Sequence, residues 1–142
     1  MQQTLVQILG GDSVVRKPLR TDLDFLEFAE EGVPKESLTS LSQFLSLTIA
    51  SAARLVGTSS RSLSRVKSNE KLPEDISTNT LQLARLFVRA VDVFEDGDTA
   101  KDWLNTPNKA MDDKRPVDLA KNSFGVQLVL DVLGRIEHGI PT

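Results

Sequence analysis

The sequence predicts an all-α fold. Strand signals are poor: the 142 residues include no tyrosine, and few runs alternate apolar with polar. Apolar residues recur at helical spacing instead. Between those stretches lie Gly, Pro and capping hydroxyls, the residues that stop and start helices. No internal repeat is visible.

The elements follow in order. Residues before Thr21 are ambiguous, and Leu5 to Leu9 fits either a short strand or a frayed helix. Asp22 to Glu31 carries Leu23, Leu26, Phe28 and Ala29 as its apolar positions, with Gly32 as a stop and Pro34 beyond. Lys35 to Leu45 places Leu38, Leu41, Phe44 and Leu45 on one face. Thr48 caps a short helix ending at Val56, and Gly57 breaks it. A second short helix runs from Ser59 to about Lys67. Pro73 and Asp75 open a long helix to about Phe94, whose Leu81, Leu83, Ala84, Phe87, Val88, Val91 and Phe94 form the wide stripe of a central core helix. Glu95-Asp96-Gly97-Asp98 ends it. Then come a helix through Trp103 and Leu104, the loop Thr106-Pro107-Asn108, a short helix opened by Pro116, and a last helix from about Phe124 to His138. Three regions result: an N-terminal segment (1–34) suited to dimerisation, a helix-turn-helix domain (35–95) and a C-terminal helical domain (96–142).

Composition narrows the chemistry. An apolar fraction of 39% supports a packed core. With no cysteine, disulfides, thiolate metal sites and a cysteine nucleophile are excluded. The N-terminus lacks the basic start and apolar core of a signal peptide, and no stretch approaches the roughly 18 apolar residues of a membrane span. A soluble, cytoplasmic protein is the expectation. Net charge is −3, yet Thr48 to Leu72 holds Arg54, Arg61, Arg65, Lys67 and Lys71 against Glu70 alone. A basic patch on an acidic body points to an anionic partner.

Thr48 to Lys67 reads as a helix-turn-helix. Ala53 is the small residue where two short helices touch, and Gly57 takes the turn four residues later. Leu63 and Val66 point the second helix inward at Ala52, Ala53 and Val56. Outward lie Ser60, Arg61, Ser64, Arg65 and Lys67, short hydroxyls and long cations suited to a major groove. Ser59 and Ser60 at the helix start can approach a phosphate. The alternative is a solvated basic face; spacing and charge together favour operator DNA. Two half-sites would then call for a homodimer.

From Ala100 the residues taken singly read as structural. Trp103 is a core anchor, and Pro107 and Pro116 are loop and helix-start punctuation. Together, the Trp103-Leu104 pair, the Pro107-Asn108 loop, the Pro116-opened helix and the terminal Arg135-Ile136-Glu137-His138-Gly139 resemble the toxin-binding domain of Xre/MbcA/ParS-type antitoxins. The resemblance covers nearly the whole chain, including Leu55-Val56-Gly57-Thr58-Ser59 and Arg61-Ser62-Leu63-Ser64-Arg65 upstream. It implies a protein whose N-terminal part binds its operon's promoter and whose C-terminal part neutralises a RES-domain toxin that consumes NAD. On that footing Trp103 and Leu104 are packing residues, while Arg135, Glu137, His138, Gly139 and Ile140 are the expected toxin contacts. The tail from Gly139 to Thr142 would enter the toxin's cleft and exclude substrate. Two departures bear on partner specificity. The family often has a Gly pair and a Thr before the Pro, where this chain has Asp112-Asp113-Lys114-Arg115, and often a Tyr where this chain has His138.

Enzyme readings fare poorly. His138 is the sole histidine and has no nucleophile motif beside it. Asp96, Asp98 and Asp102 lack the spacing and glutamate of a calcium loop, and no Gly-Lys-Ser/Thr follows Gly10-Gly11. The expectation is a binding protein without cofactor or metal. Its competitors are a stand-alone transcription regulator and an inhibitor whose helix-turn-helix no longer touches DNA.

Overall fold

The computed structural model describes residues 2–139, and among them every regular element is helical apart from two isolated bridge pairs, Pro34 with Lys71 and Asn108 with Lys114. The ambiguous start is a helix, α1 (Gln2–Ile8). Leu5, Ile8 and Leu9 are buried together, the i, i+3, i+4 set that one helical face supplies.

Helix α2 (Asp22–Glu31) opens on a capping box. The Thr21 hydroxyl accepts from the Asp24 amide at 3.1 Å, and the Asp24 carboxylate accepts from the amides of Arg20 and Thr21. Those amides hold the Asp24 carboxyl below its ordinary range. Phe28 and Ala29 face inward as expected, but Leu23 and Leu26 do not, being 60% and 55% exposed. The helix carries two apolar stripes, and only the one continued by half-buried Phe25 meets the core. In α3 (Lys35–Phe44), Leu38, Leu41 and the following Leu45 are buried, whereas Phe44 stays exposed.

Thr48 caps α4 (Ile49–Val56), its hydroxyl accepting from the Ser51 amide at 3.1 Å. Gly57 ends that helix at φ 93°, ψ 24°, the left-handed region that a side chain disfavours. Helix α5 (Ser60–Ser64) is shorter than the expected run to Lys67. Its last turn tightens, with the Arg65 amide bonding Ser62 O and the Val66 amide bonding Leu63 O. The Lys67 amide then leaves for the Glu70 carboxylate.

Helix α6 (Glu74–Phe94) is the axle of the molecule and touches α1, α2 and α4. It also contacts α7 (Gly97–Leu104) and α9 (Ser123–Glu137). Leu81, Leu83, Ala84, Leu86, Phe87, Val88 and Ala90 are buried along it, while Val91 and Phe94 are half-buried. Ser77 and Thr80 are buried too, and both are satisfied. Ser77 accepts from the Val33 amide and donates to Leu72 O, and Thr80 donates to Ile76 O. A 3₁₀ turn (Lys109–Met111) and α8 (Pro116–Leu119) complete the chain, with Pro116 in the first helical turn. One continuous apolar cluster runs from Leu5 through Leu63 and Leu86 to Leu133. The helix-turn-helix and the C-terminal helices therefore share a core. No helix among the described residues is long and apolar enough to cross a membrane.

Candidate nucleic-acid and protein interfaces

Helices α4 and α5 pack through Ala52, Ala53, Val56 and Leu63, all buried, with Val66 half-buried behind them. A larger residue at Ala53, fully inaccessible, would force the pair apart. The turn between them is fixed from two sides. The Thr58 amide bonds Ala53 O at 2.8 Å, and Asn79 on α6 donates its side-chain amide to Val56 O at 3.0 Å. Asn79 thus ties the turn to the central helix, a role the linear sequence gave no reason to suspect.

This arrangement leaves Ser59, Ser60, Arg61, Ser64, Arg65 and Lys67 all exposed. They are not equivalent. The Ser59 hydroxyl caps α5, accepting from the Ser62 amide and donating to the Ser62 hydroxyl. The Ser64 hydroxyl donates to Arg61 O at 2.6 Å. Ser60, Arg61 and Arg65 make no side-chain bond among the described residues, so they remain available to an outside partner. Lys67 sits past the end of α5, on the turn leading to Glu70.

The C-terminal helices are positioned by close approach. A Cβ on Gly125 would lie 1.5 Å from Leu119 O, so only glycine lets α9 start against the end of α8. Asn122 caps α9, its side-chain oxygen accepting from the Gly125 amide at 3.0 Å. Trp103 packs on Phe94 with ring centroids 5.6 Å apart, and Leu104 is buried, so both are packing residues as expected. The loop at Asp112 and Asp113 holds both residues at φ 59°. Two adjacent carboxylate residues occupy left-handed conformations that glycine adopts more readily.

On α9, Val129, Val132 and Leu133 turn inward. The opposite side presents Phe124, 86% exposed, and Leu128, 44% exposed, with Asp131 and Arg135 continuing the same stripe at i+3 and i+4 steps. Arg135, His138 and Gly139 are exposed, and Arg135 has no side-chain partner among the described residues. Glu137 is engaged within the chain: its carboxylate takes both terminal nitrogens of Arg89 on α6, at 2.6 and 2.9 Å. That pairing lowers the Glu137 carboxyl below the ordinary glutamate range. Ile140 and the rest of the tail lie outside the described residues. Phe124 and Leu128 were missed by sequence reasoning. No local signal marks them: their apolar chemistry matches that of the buried positions, and the stripe of α9 that is buried is decided by its packing on α6.

Alongside α9 runs a groove of about 640 Å³ between α2, α6 and α9, lined by Phe25, Leu86, Val126 and Leu130 with Arg85 and Arg89 among its walls. Its cations are partly committed. Arg85 lies 4.6 Å over the Phe25 ring and 3.7 Å from the Asp22 carboxylate, and Arg89 holds Glu137.

Known proteins place these features. Residues 24–85 match the antitoxin Xre-like helix-turn-helix domain, and residues 89–139 match the antitoxin Xre/MbcA/ParS C-terminal toxin-binding domain. Antitoxin Xre of Yersinia enterocolitica is 30% identical over 112 residues, covering 77% of this chain and 75% of that one. Antitoxin Xre of Photorhabdus laumondii is 30% identical over 112 residues, covering 78% and 76% respectively. A basic two-helix unit and an exposed apolar helix on one core are thus matched in order along the chain: it belongs to the Xre antitoxin family of toxin–antitoxin systems, with a helix-turn-helix domain followed by a C-terminal toxin-binding domain.

Proposed function

We propose that this antitoxin acts by binding alone, in two directions: α5 reads operator DNA to repress its own operon, and α9 neutralises a cognate toxin by covering its active site. The observation that carries this reading is the pair of exposed faces with opposite chemistry. Ser60 and Arg61 on α5 and Arg65 just past its end are unpaired within the described residues and suit guanine edges and phosphates. Phe124 and Leu128 with Arg135 on α9 have the aromatic and arginine character of a protein–protein hot spot. Glu137, by its bond to Arg89, sets where α9 lies rather than reaching outward, and His138 and Gly139 extend the contact toward the tail.

The partner we propose is a RES-domain toxin that consumes NAD, as the likeness to Xre/MbcA/ParS-type antitoxins implies. Operator reading by so short a helix calls for a homodimer, and the exposed Leu23 and Leu26 on α2 support residues 1–34 as its surface. The proposed setting is the cytoplasm, where both DNA and NAD are found.

The test is a growth experiment with the adjacent reading frame, expressed alone and then with this chain. Growth and cellular NAD should collapse in the first case and recover in the second. A harmless neighbour would leave a plain repressor. In gel shifts, Arg61→Ala should weaken operator binding by about 1–3 kcal/mol. Unchanged affinity would remove α5 from the interface. Deleting residues 139–142 should spare DNA binding and reduce neutralisation, and full rescue by the truncated chain would count against the tail.

A further inference from the structure

The geometry points to a second anion site, between the helix-turn-helix and the toxin-binding domain, that seats a phosphate of the DNA backbone. A cleft of about 250 Å³ is lined by Ser51, Arg54 and Leu55 from α4 and by Arg115, Asp118 and Lys121 from α8 and its ends. Three cations face one carboxylate there. Arg54 and Lys121 are exposed, and the Asp118 carboxylate is already taken by Arg115, at 2.8 and 2.9 Å. That bond uses Nε and one terminal nitrogen of Arg115, so the other terminal nitrogen keeps its donors and the guanidinium is held in one orientation. Arg54 approaches the Ser51 hydroxyl at 3.4 Å on the same wall. No cation of the cleft other than Arg115 has an acidic partner among the described residues. On a chain of net charge −3, this excess of positive charge selects an anion.

The location selects which anion. Helix α4 is the first helix of the helix-turn-helix, and in that architecture the first helix crosses the phosphate backbone while the second enters the groove. A phosphate passing Arg54 therefore meets Arg115 and Lys121, which belong to the domain that binds toxin. The DNA footprint then extends past α5 and is completed by residues of the C-terminal half. This rests on the reading of α5 as the groove-entering helix.

The experiment is a salt titration of duplex binding by the full chain. The probes are the duplex upstream of its own reading frame and a random-sequence duplex of equal length. Lys121→Ala should lower the slope of log K against log salt by about 0.9, the value for one phosphate contact, and weaken both duplexes by the same factor. Arg54→Ala with Lys121→Ala should lower it by about twice that, and Lys121→Arg should restore it. Arg61→Ala should instead discriminate between the two duplexes. Thermal melts should show each variant folded, because the altered side chains are exposed. An unchanged slope in the double variant, with Arg61→Ala still defective, overturns the cleft and leaves α5 standing. Loss of toxin neutralisation by Lys121→Ala with intact duplex binding also overturns it, by giving the cleft to the toxin. Failure of the intact chain to bind either duplex overturns both readings.

Discussion

Helices α5 and α9 each present an exposed outer face, but they are held in place by different means. Helix α5 has five residues and cannot hold itself together, so serine hydroxyls and the Gly57 turn hold it, and its outer face is left to cations. Helix α9 has fifteen residues, is held by a buried stripe and the Gly125 approach, and has apolar residues to spare on its outer face. A polyanion is met at a distance by charges that tolerate imperfect geometry, so a short, capped helix suffices. A protein cleft demands packed apolar contact, so the presenting helix has to be rigid. Yet α9 packs on α6 directly while α5 reaches it through α4, and the comparison stands only if the two faces share one folding unit.

The largest expected effect tests that sharing. Gly125→Ala sets a methyl group against Leu119 O and should destabilise the chain by about 3 kcal/mol, read by urea denaturation. Tryptophan fluorescence from Trp103 and far-ultraviolet circular dichroism should report a single shifted transition. Two separated transitions would split the molecule into independent halves.

Next comes the outward face of α9. Phe124→Ala removes an 86% exposed ring, so the melting temperature should barely move. Toxin affinity measured by calorimetry should fall by about 2 kcal/mol, roughly 30-fold, while duplex binding is unaltered. A variant that neutralises normally would take Phe124 out of the interface and weaken the contrast with α5.

A smaller gain is expected in the loop before α8. Asp112→Gly and Asp113→Gly relieve left-handed conformations and should each stabilise the chain by about 0.5–1 kcal/mol. If either variant is destabilised, the carboxylates have a folded-state role that the backbone angles do not explain.

The smallest effect concerns the Arg89–Glu137 clasp between α6 and α9. Because the folded Glu137 pKa is lowered, its stabilisation is complete above the unfolded value of about 4.3 and is lost as pH falls through the folded value. The difference in melting temperature between the parent chain and Glu137→Gln should therefore be visible at pH 7 and shrink in acid, vanishing once pH has fallen through the lowered folded value. A difference that persists in acid would mean that Glu137 acts through something other than its charge.

Most element positions were legible because their causes are local. Thr21, Thr48 and Ser59 cap helices through their own neighbours, and Gly57 and Pro116 impose backbone angles whatever surrounds them. The outward set on α5 was legible for the same reason, since five residues have little room for a second face. The extent of α5 was less so: nothing local forbids helix as far as Lys67, and the bond from its amide to Glu70 is made by a turn.

What the sequence determined by itself is therefore the helical alphabet: which segments coil, where they stop, and the cationic patch between Thr48 and Leu72. What only the tertiary structure decided is which of several apolar or charged stripes is spent inside. Leu23, Leu26, Phe124 and Leu128 look no different in sequence from Phe28 or Val129, and Glu137 looks as free as Arg135. The choice was made by the area available on α6, where one stripe per helix can be buried and the remainder must face water or a partner.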